Sequence, residues 1–311
     1  MKTVAIRRAG AAAVALAAVV GIAGCTGGDD KAAEAPAKAK LQSREAATEA
    51  LTASFSKTRE AKSAKVHMTI ALPGSAAAGS MEMDGVLGWN PGAMDMTVKG
   101  ESFQQNPSTP GEVRMIMQDG VIYLDMGADA TADMDGKRWM KLDMTALAEQ
   151  SGDKDLQKQL TGGLDNMNQD PAAQLAILLE SPNLKHVGSE KIGGVDTEHY
   201  KGSLTVAEML EADSSLDILT PEEREELLGN VEQVGAEGYD IEVWVNGDGY
   251  PVRMNVGMDT PEGAVAVTAE YSDYGAGIAV ETPPADQTVD FMEMMAELGA
   301  AMEEPTGGAG V

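Results

Sequence analysis

From residue 65 onward the chain alternates. Val66, Met68, Ile70 and Leu72 fall on one side of an extended segment, and Lys65, His67 and Thr69 on the other. The same period of two returns in AMDMTVK (Met94, Met96, Val98), VRMIMQ (Val113, Met115, Met117), DIEVWVN (Ile241, Val243, Val245), PVRMNVGM (Val252, Met254, Val256, Met258) and AVAVTAEY (Val265, Val267, Ala269, Tyr271). One-sided burial at this spacing is the mark of antiparallel strands. Asp119-Gly120, Gly193-Gly194 and the NGDG run from Asn246 to Gly249 supply tight turns between them. The pattern predicts about eleven strands.

Helical periodicity interrupts the strands. In SREAATEALTASFSKTREAK, Ser43 can cap a helix that carries Ala47, Ala50, Leu51 and Phe55 on one face. PAAQLAILLES begins with Pro171 at a first-turn position, VAEMLEAD covers 206–213, and TPEEREELLGNVEQV opens with a capping box of Thr220 and Glu223. DQTVDFMEMMAELGAAME predicts a C-terminal helix. There is no long repeat and no second boundary, so one α+β domain of about 250 residues is expected, large enough for a substantial core.

The ends differ from this body. Lys2, Arg7 and Arg8 precede an apolar run from Ala9 to Ala23 that is too short to span a bilayer comfortably and reads as a secretion signal. It ends in Ile22-Ala23-Gly24-Cys25, which resembles a bacterial lipobox, and Cys25 is the single cysteine of the chain. An exported protein with one thiol calls for an explanation, and lipidation of Cys25 gives one. Two acyl chains there, at about 0.8 kcal/mol per buried CH2, make a stable anchor. The expected organisation is a signal peptide at 1–24, a lipidated Cys25 with a polar tether through residue 41, a domain at 42–292, and a helix end with an unstructured tail at 293–311. That places the mature protein outside the cytoplasm, anchored to the outer face of the plasma membrane.

Charge narrows the partners. The full chain carries −27, and loss of the three basic residues before Cys25 leaves −30. Such a surface repels nucleic acid and anionic headgroups. Catalytic patterns are missing as well. His67, His186 and His199 have neither an i, i+4 partner nor HExxH spacing, and there is no G-x-S-x-G elbow and no phosphate-cradling glycine loop. No cofactor and no enzymatic activity are expected. The acidic segment around Asp133, Asp135 and Gly136 imitates part of a calcium loop, but the register puts Thr131 at the first ligand position and Leu142 where a bidentate Glu belongs.

Twenty methionines remain. Met81/Met83, Met94/Met96 and Met115/Met117 are spaced i, i+2, which on a strand places both thioethers on one side, as a soft metal would require. No histidine or cysteine lies in or beside any of these pairs, and the methionines fall at positions that Val, Ile and Leu fill in neighbouring strands. They therefore read as the apolar face of a sheet, either a filled core or the wall of a cavity. Only three Phe, three Trp and six Tyr are present, and flexible methionine suits a wall that moulds to variable acyl chains.

Several segments together resemble an actinobacterial family of envelope lipoproteins, the LppX/LprG-like group, itself similar in fold to LolA and LolB. They are the lipobox, RWMKLDM (Arg138 to Met144), LKHVGSEKIGGVDTEHYKG (Leu184 to Gly202), YDIEVWVNGDGYPVRM (Tyr239 to Met254) and AEYSDYG leading to PPADQTVDF. The resemblance spans roughly 42–292. It implies a strongly curved antiparallel half-barrel with helices on its concave side, enclosing an apolar cavity that binds an acylated lipid or glycolipid and carries it through the envelope. On that reading Val66, Met68, Ile70, Met81, Met83, Met94, Met96, Met115 and Met117 form the wall, and Leu175, Ile177, Leu178 and Leu179 cover the opening. The alternatives are a sensor or interaction lipoprotein with the same fold and a filled core, and a Met-based copper handler. The chain departs from the group in its many methionines and alanines, its acidity and a long insert near 143–180.

Overall fold

The computed structural model describes residues 41–73, 79–100, 111–128, 131, 134–151, 170–211, 220, 221, 229, 235–261, 263–278 and 280–296. The signal segment, Cys25 and the tether, most of the helix predicted from Thr220, Asp133 of the acidic loop and the C-terminal tail lie outside these residues. No helix among those described is long and apolar enough to cross a membrane.

Helix α1 (Arg44–Ala61) leads into β1 (Ser63–Leu72), β2 (Gly79–Trp89), β3 (Gly92–Gly100), β4 (Glu112–Gln118), β5 (Val121–Asp125) and β6 (Trp139–Asp143). Helices α2 (Met144–Ser151) and α3 (Pro171–Glu180) follow, then β7 (Lys185–Ile192), β8 (Val195–Thr205), α4 (Val206–Glu211), β9 (Gly238–Asn246), β10 (Pro251–Thr260), β11 (Gly263–Ser272) and β12 (Thr288–Asp290). The strands make one open sheet in the order β12-β6-β5-β4-β3-β2-β1-β11-β10-β9-β8-β7. Two meanders, β1 to β6 and β7 to β11, are joined where β1 pairs with β11. The fold is thus a curved half-barrel sheet with helices packed against it, as the pattern and the resemblance predict.

Eleven strands are antiparallel. The twelfth is a three-residue strand, parallel to β6, inside the segment predicted to be wholly helical. Helix begins only at Phe291. Thr288 and Val289 are β-branched and favour extended backbone, and the edge of β6 offers unpaired backbone groups. The ion pair of Lys141 with Asp290 at 3.0 Å and the donation from Arg138 N to Gln287 O at 3.1 Å hold the strand there.

Local signals act where the sequence places them. Ser43 Oγ accepts from Ala46 N at the start of α1, and Asp170 Oδ1 accepts from Ala172 N at 2.8 Å at the start of α3. Asp119 and Gly120 adopt φ of 52° and 77°, the double left-handed turn that a two-residue hairpin needs. Gly85 in β2 has a different task. A Cβ there would lie 2.1 Å from Asp95 O and 2.7 Å from Met96 Cα of the paired strand, so β2 and β3 can approach in this way only around a residue without a side chain. Gly85→Ala should lower stability by about 1–3 kcal/mol, as overpacking typically does, read as a lower denaturant midpoint.

Two apolar clusters occupy the inward face. One joins Ala47, Leu51 and Phe55 of α1 and Leu175, Ile177, Leu178 and Leu179 of α3 to Tyr200, Leu204, Ile241, Val243 and Met254 of β8 to β10. The other lies on β1 to β5 and contains Val66, Leu87, Met94, Met96, Met117 and Ile122, with Ala269 of β11. The first is sealed by two helices. Because β6 and β7 sit toward opposite edges of the sheet, the chain between them must cross a face, and α3 lies on that crossing.

Candidate functional site: the methionine face

Register places all nine predicted sheet residues on one face. Met68 stands opposite Met83, and Ile70 opposite Met81. Met96 is opposite Gly85 on β2 and Met115 on β4, and Met94 is opposite Leu87 and Met117. Met94, Met96, Met115 and Met117 therefore form a two-by-two block of thioethers, flanked by Ile122 and Leu124 on β5. On the other side, Tyr271, Ala269 and Val267 of β11 face Val66, Met68 and Ile70.

Burial divides these residues. Met94, Met96 and Met117 are sealed, at 2%, 2% and 1% exposure, and Val66 is buried beside them. Met68, Ile70, Met81, Met83 and Met115 are only half-buried although they point to the inward side. The predicted cover, Leu175, Ile177, Leu178 and Leu179, packs elsewhere. All four are buried in the cluster over β8 to β10. That cluster is thus packed under α1 and α3, whereas on β1 to β4 sealed residues (Val66, Met94, Met96, Met117) stand beside half-buried ones (Met68, Ile70, Met81, Met83, Met115).

The histidines stay away from the thioethers. His67 Nδ1 lies 2.6 Å from Asp84 Oδ1 on the outward side, His186 Nε2 is 2.5 Å from Glu198 Oε2, and His199 reaches Glu190 and Glu242 at 3.2 and 3.0 Å. Among the described residues no group of three or more His, Cys, Asp or Glu could hold a metal ion. The block is made of thioethers alone. Met94→Leu with Met96→Leu conserves volume, so it should cost less than about 1.5 kcal/mol and leave acyl-lipid affinity nearly unchanged in a binding titration. A metal site would lose its ligands by the same change.

Beside the methionines lies an aromatic corner that sequence reasoning missed. Tyr274 stacks on Tyr250 with centroids 4.6 Å apart, and meets Trp89 edge-on at 6.3 Å and Tyr271 at 6.2 Å. Lys57 of α1 lies 5.6 Å from the Tyr250 centroid and donates to Asp248 O at 2.5 Å. Burial pushes the phenols of Tyr271 and Tyr274 above the ordinary 10.0, and Asp170 adds to the rise in both. Tyr271 packs against both apolar clusters, which puts the corner at their junction. Only Tyr271 announces itself in the alternation; Tyr250 and Tyr274 sit in turns and Trp89 ends its strand.

The outward side is held by charge. Arg114 forks onto Asp95 at 2.9 and 2.7 Å, and Arg138 onto Asp125 at 2.6 Å twice. Burial raises the Asp125 carboxyl, but Arg138 and the Gly127 N–H outweigh it and hold the group below the usual 3.8. An open cleft of about 750 Å³ lies by the β7–β8 and β9–β10 turns, lined by Lys65, His67, Asp84, Glu270 and Asp273 among others. Of the predicted wall residues it touches Val66 alone. The cleft also takes in Val86, Val252 and the aromatic corner's Tyr250, Tyr271 and Tyr274, so it mixes charged and apolar groups and adjoins the methionine face only at Val66.

The fold and the site define a class: an open-sheet α+β domain with two apolar clusters on one face, one of them packed under α1 and α3. No protein-family model matches the chain. A Streptomyces griseus protein, the uncharacterized 31.2 kDa protein of the rplA–rplJ intergenic region, is 32% identical over 254 residues, which cover 78% of this chain and 79% of that one. The chain belongs to the family of this Streptomyces protein. A Streptomyces coelicolor protein whose name proposes a lipoprotein is 26% identical over 229 residues, covering 71% of this chain and 68% of its own. Among solved structures the chain is similar to the Mycobacterium tuberculosis lipoprotein LppX (17% identity, TM-score 0.42, 77% of this chain and 100% of that one). It is also similar to LprF from Mycobacterium bovis (16% identity, TM-score 0.42, 79% and 100%).

Proposed function

We propose that this protein is an extracytoplasmic lipoprotein, anchored through Cys25, that binds an acylated lipid or glycolipid on its methionine face and carries it within the envelope without chemistry of its own. One observation carries the reading. The inward sides of β1 to β4 are apolar, yet Met68, Ile70, Met81, Met83 and Met115 keep accessible surface, while the neighbouring half of the same sheet is sealed by α1 and α3.

An acyl chain laid on that wall gains about 25 cal/mol for each Å² of apolar surface removed from water, or about 0.8 kcal/mol per CH2. Thioethers with three rotatable bonds adapt to chains of different length and branching. The N-terminal signal and lipobox, and the name of the Streptomyces coelicolor relative, support the lipoprotein part.

The test is transfer between vesicles. Donor vesicles carry a pyrene-labelled diacyl glycolipid with an uncharged headgroup and acceptors carry none. The protein should raise the transfer rate in proportion to its concentration and bind the labelled lipid saturably. A rate equal to the protein-free rate, with no saturable binding, contradicts the carrier reading and favours an interaction protein with a filled core.

A further inference from the structure

The methionines of the inward face differ in what can reach them. Met68 on β1, Met81 and Met83 on β2 and Met115 on β4 keep accessible surface, whereas Met94 and Met96 on β3 and Met117 on β4 are sealed. Register makes them neighbours, with Met68 opposite Met83 and Met115 opposite the sealed Met96. A wall that needed only apolar surface could be built of Leu and Ile, as Ile70 shows opposite Met81. A thioether adds a property that these lack. It can be oxidised to a sulfoxide, which is polar and chiral, and reduced back.

The sequence removes the usual competitor for an oxidant. Cys25 is the single cysteine, and lipidation turns its sulfur into a thioether as well. With no free thiol left, the accessible methionines are the side chains that a peroxide meets first. The sulfur lone pair attacks one oxygen of hydrogen peroxide, an S–O bond forms as the O–O bond breaks, and the departing hydroxide takes the remaining proton and leaves as water. The thioether loses two electrons and the peroxide gains them. The new oxygen is a hydrogen-bond acceptor, and the side chains that stand opposite the four methionines across the sheet, among them Val98, Leu124 and Ala269, carry no donor for it. Under an acyl chain it would be cut off from water as well.

Resting on the carrier reading, we propose that Met68, Met81, Met83 and Met115 form a reversible oxidation site: a peroxide converts them to sulfoxides and the wall loses its hold on acyl chains, while the sealed Met94, Met96 and Met117 stay reduced and keep the sheet packed. Occupancy controls the reaction, because an acyl chain laid over the four thioethers covers the sulfurs that the oxidant must reach. The empty carrier is therefore the form that is oxidised. Methionine sulfoxide reductases, one for each sulfoxide epimer, restore the wall, the oxygen leaving as water while a reductase dithiol becomes a disulfide.

The purified lipoprotein, stripped of lipid, is treated with hydrogen peroxide in the presence and absence of the pyrene-labelled glycolipid of the transfer assay, and sulfoxide is followed at each methionine by peptide mass spectrometry. Without lipid, Met68, Met81, Met83 and Met115 should be oxidised several-fold faster than Met94, Met96, Met117 and the sealed Met254. Bound glycolipid should slow the four and leave Met295, which is 47% exposed, unaffected. The oxidised protein should keep its circular dichroism, bind the glycolipid about tenfold less tightly or worse, and recover when both reductases are added. A variant that combines Met68→Leu, Met81→Leu, Met83→Leu and Met115→Leu should, whatever its own starting affinity, lose little of it on the same treatment. The measurements on the unaltered protein stand if that variant fails to fold. Oxidation of the sealed methionines as fast as the four, no protection by glycolipid, undiminished binding after oxidation, a loss that the reductases do not reverse, or an equal loss in the variant overturns this inference and leaves the carrier reading intact. Failure of the untreated protein to bind the glycolipid overturns both.

Discussion

Met83→Glu should weaken acyl-lipid binding by about tenfold or more and leave the protein folded. Met83 is half-buried, opposite Met68 on the accessible part of the inward face. In the free protein a glutamate at this position keeps contact with water. Once an acyl chain covers it, the carboxylate is stripped of solvent with no cation opposite, and even a partial desolvation penalty exceeds the 1.4 kcal/mol or so that a tenfold change represents. Equilibrium titration with a fluorescent acyl probe reads the loss, and circular dichroism reads the retained fold. Unchanged affinity would mean that no acyl chain lies over β2.

Leu175→Ala should do the opposite. Leu175 is 0% exposed at the centre of α3, within the cluster that fixes α1 and α3 to β8, β9 and β10. Removing three carbons from a sealed core costs about 2–5 kcal/mol through lost transfer energy and the cavity left behind. Urea denaturation should show the fall in stability, while the affinity for acyl lipid at a temperature where the variant is folded should stay close to that of the parent. Loss of binding without loss of stability would place Leu175 at the ligand and not in the supporting core. The two substitutions together separate a wall from a buttress on one sheet face.

Much of the fold was legible because a strand buried on one side writes its geometry directly into the sequence. Met94, Met96 and Val98, like Met115 and Met117, could face inward in only one register, and Asp119-Gly120 and Gly193-Gly194 could hardly be anything other than hairpin turns. Pairing across the chain was less accessible. Nothing local to Lys65–Ala71 announces that its second partner is Ala266–Ser272, two hundred residues away in the other meander. The short strand at Thr288–Asp290 was hidden because the methionines after it repeat at helical spacing.

The candidate site was legible in its floor and not in its limits. Alternation is the same over β10 as over β2, so it cannot say which stretch lies beneath helices and which keeps accessible surface. Ile116 shows the converse. It falls on the outward side by register, opposite Asp95, yet is buried. The chain between β11 and β12 runs close by, since Ile278 crowds Gly88 and Glu281 acts on Arg114. The aromatic corner escaped for another reason. Its members come from a strand end (Trp89), the last residues of an alternating strand (Tyr271) and two turns (Tyr250, Tyr274), so no single periodicity connects them.

The central claim is that the accessible half of the methionine face holds an acyl chain. Native mass spectrometry of the lipoprotein purified from its own host tests it most directly. The parent protein should carry an adduct whose mass and fragmentation identify an acylated lipid distinct from the covalent modification at Cys25, and Met83→Glu should be depleted of that adduct. A parent protein that carries no adduct, and takes up none when incubated with lipid extract of the same host, would contradict it.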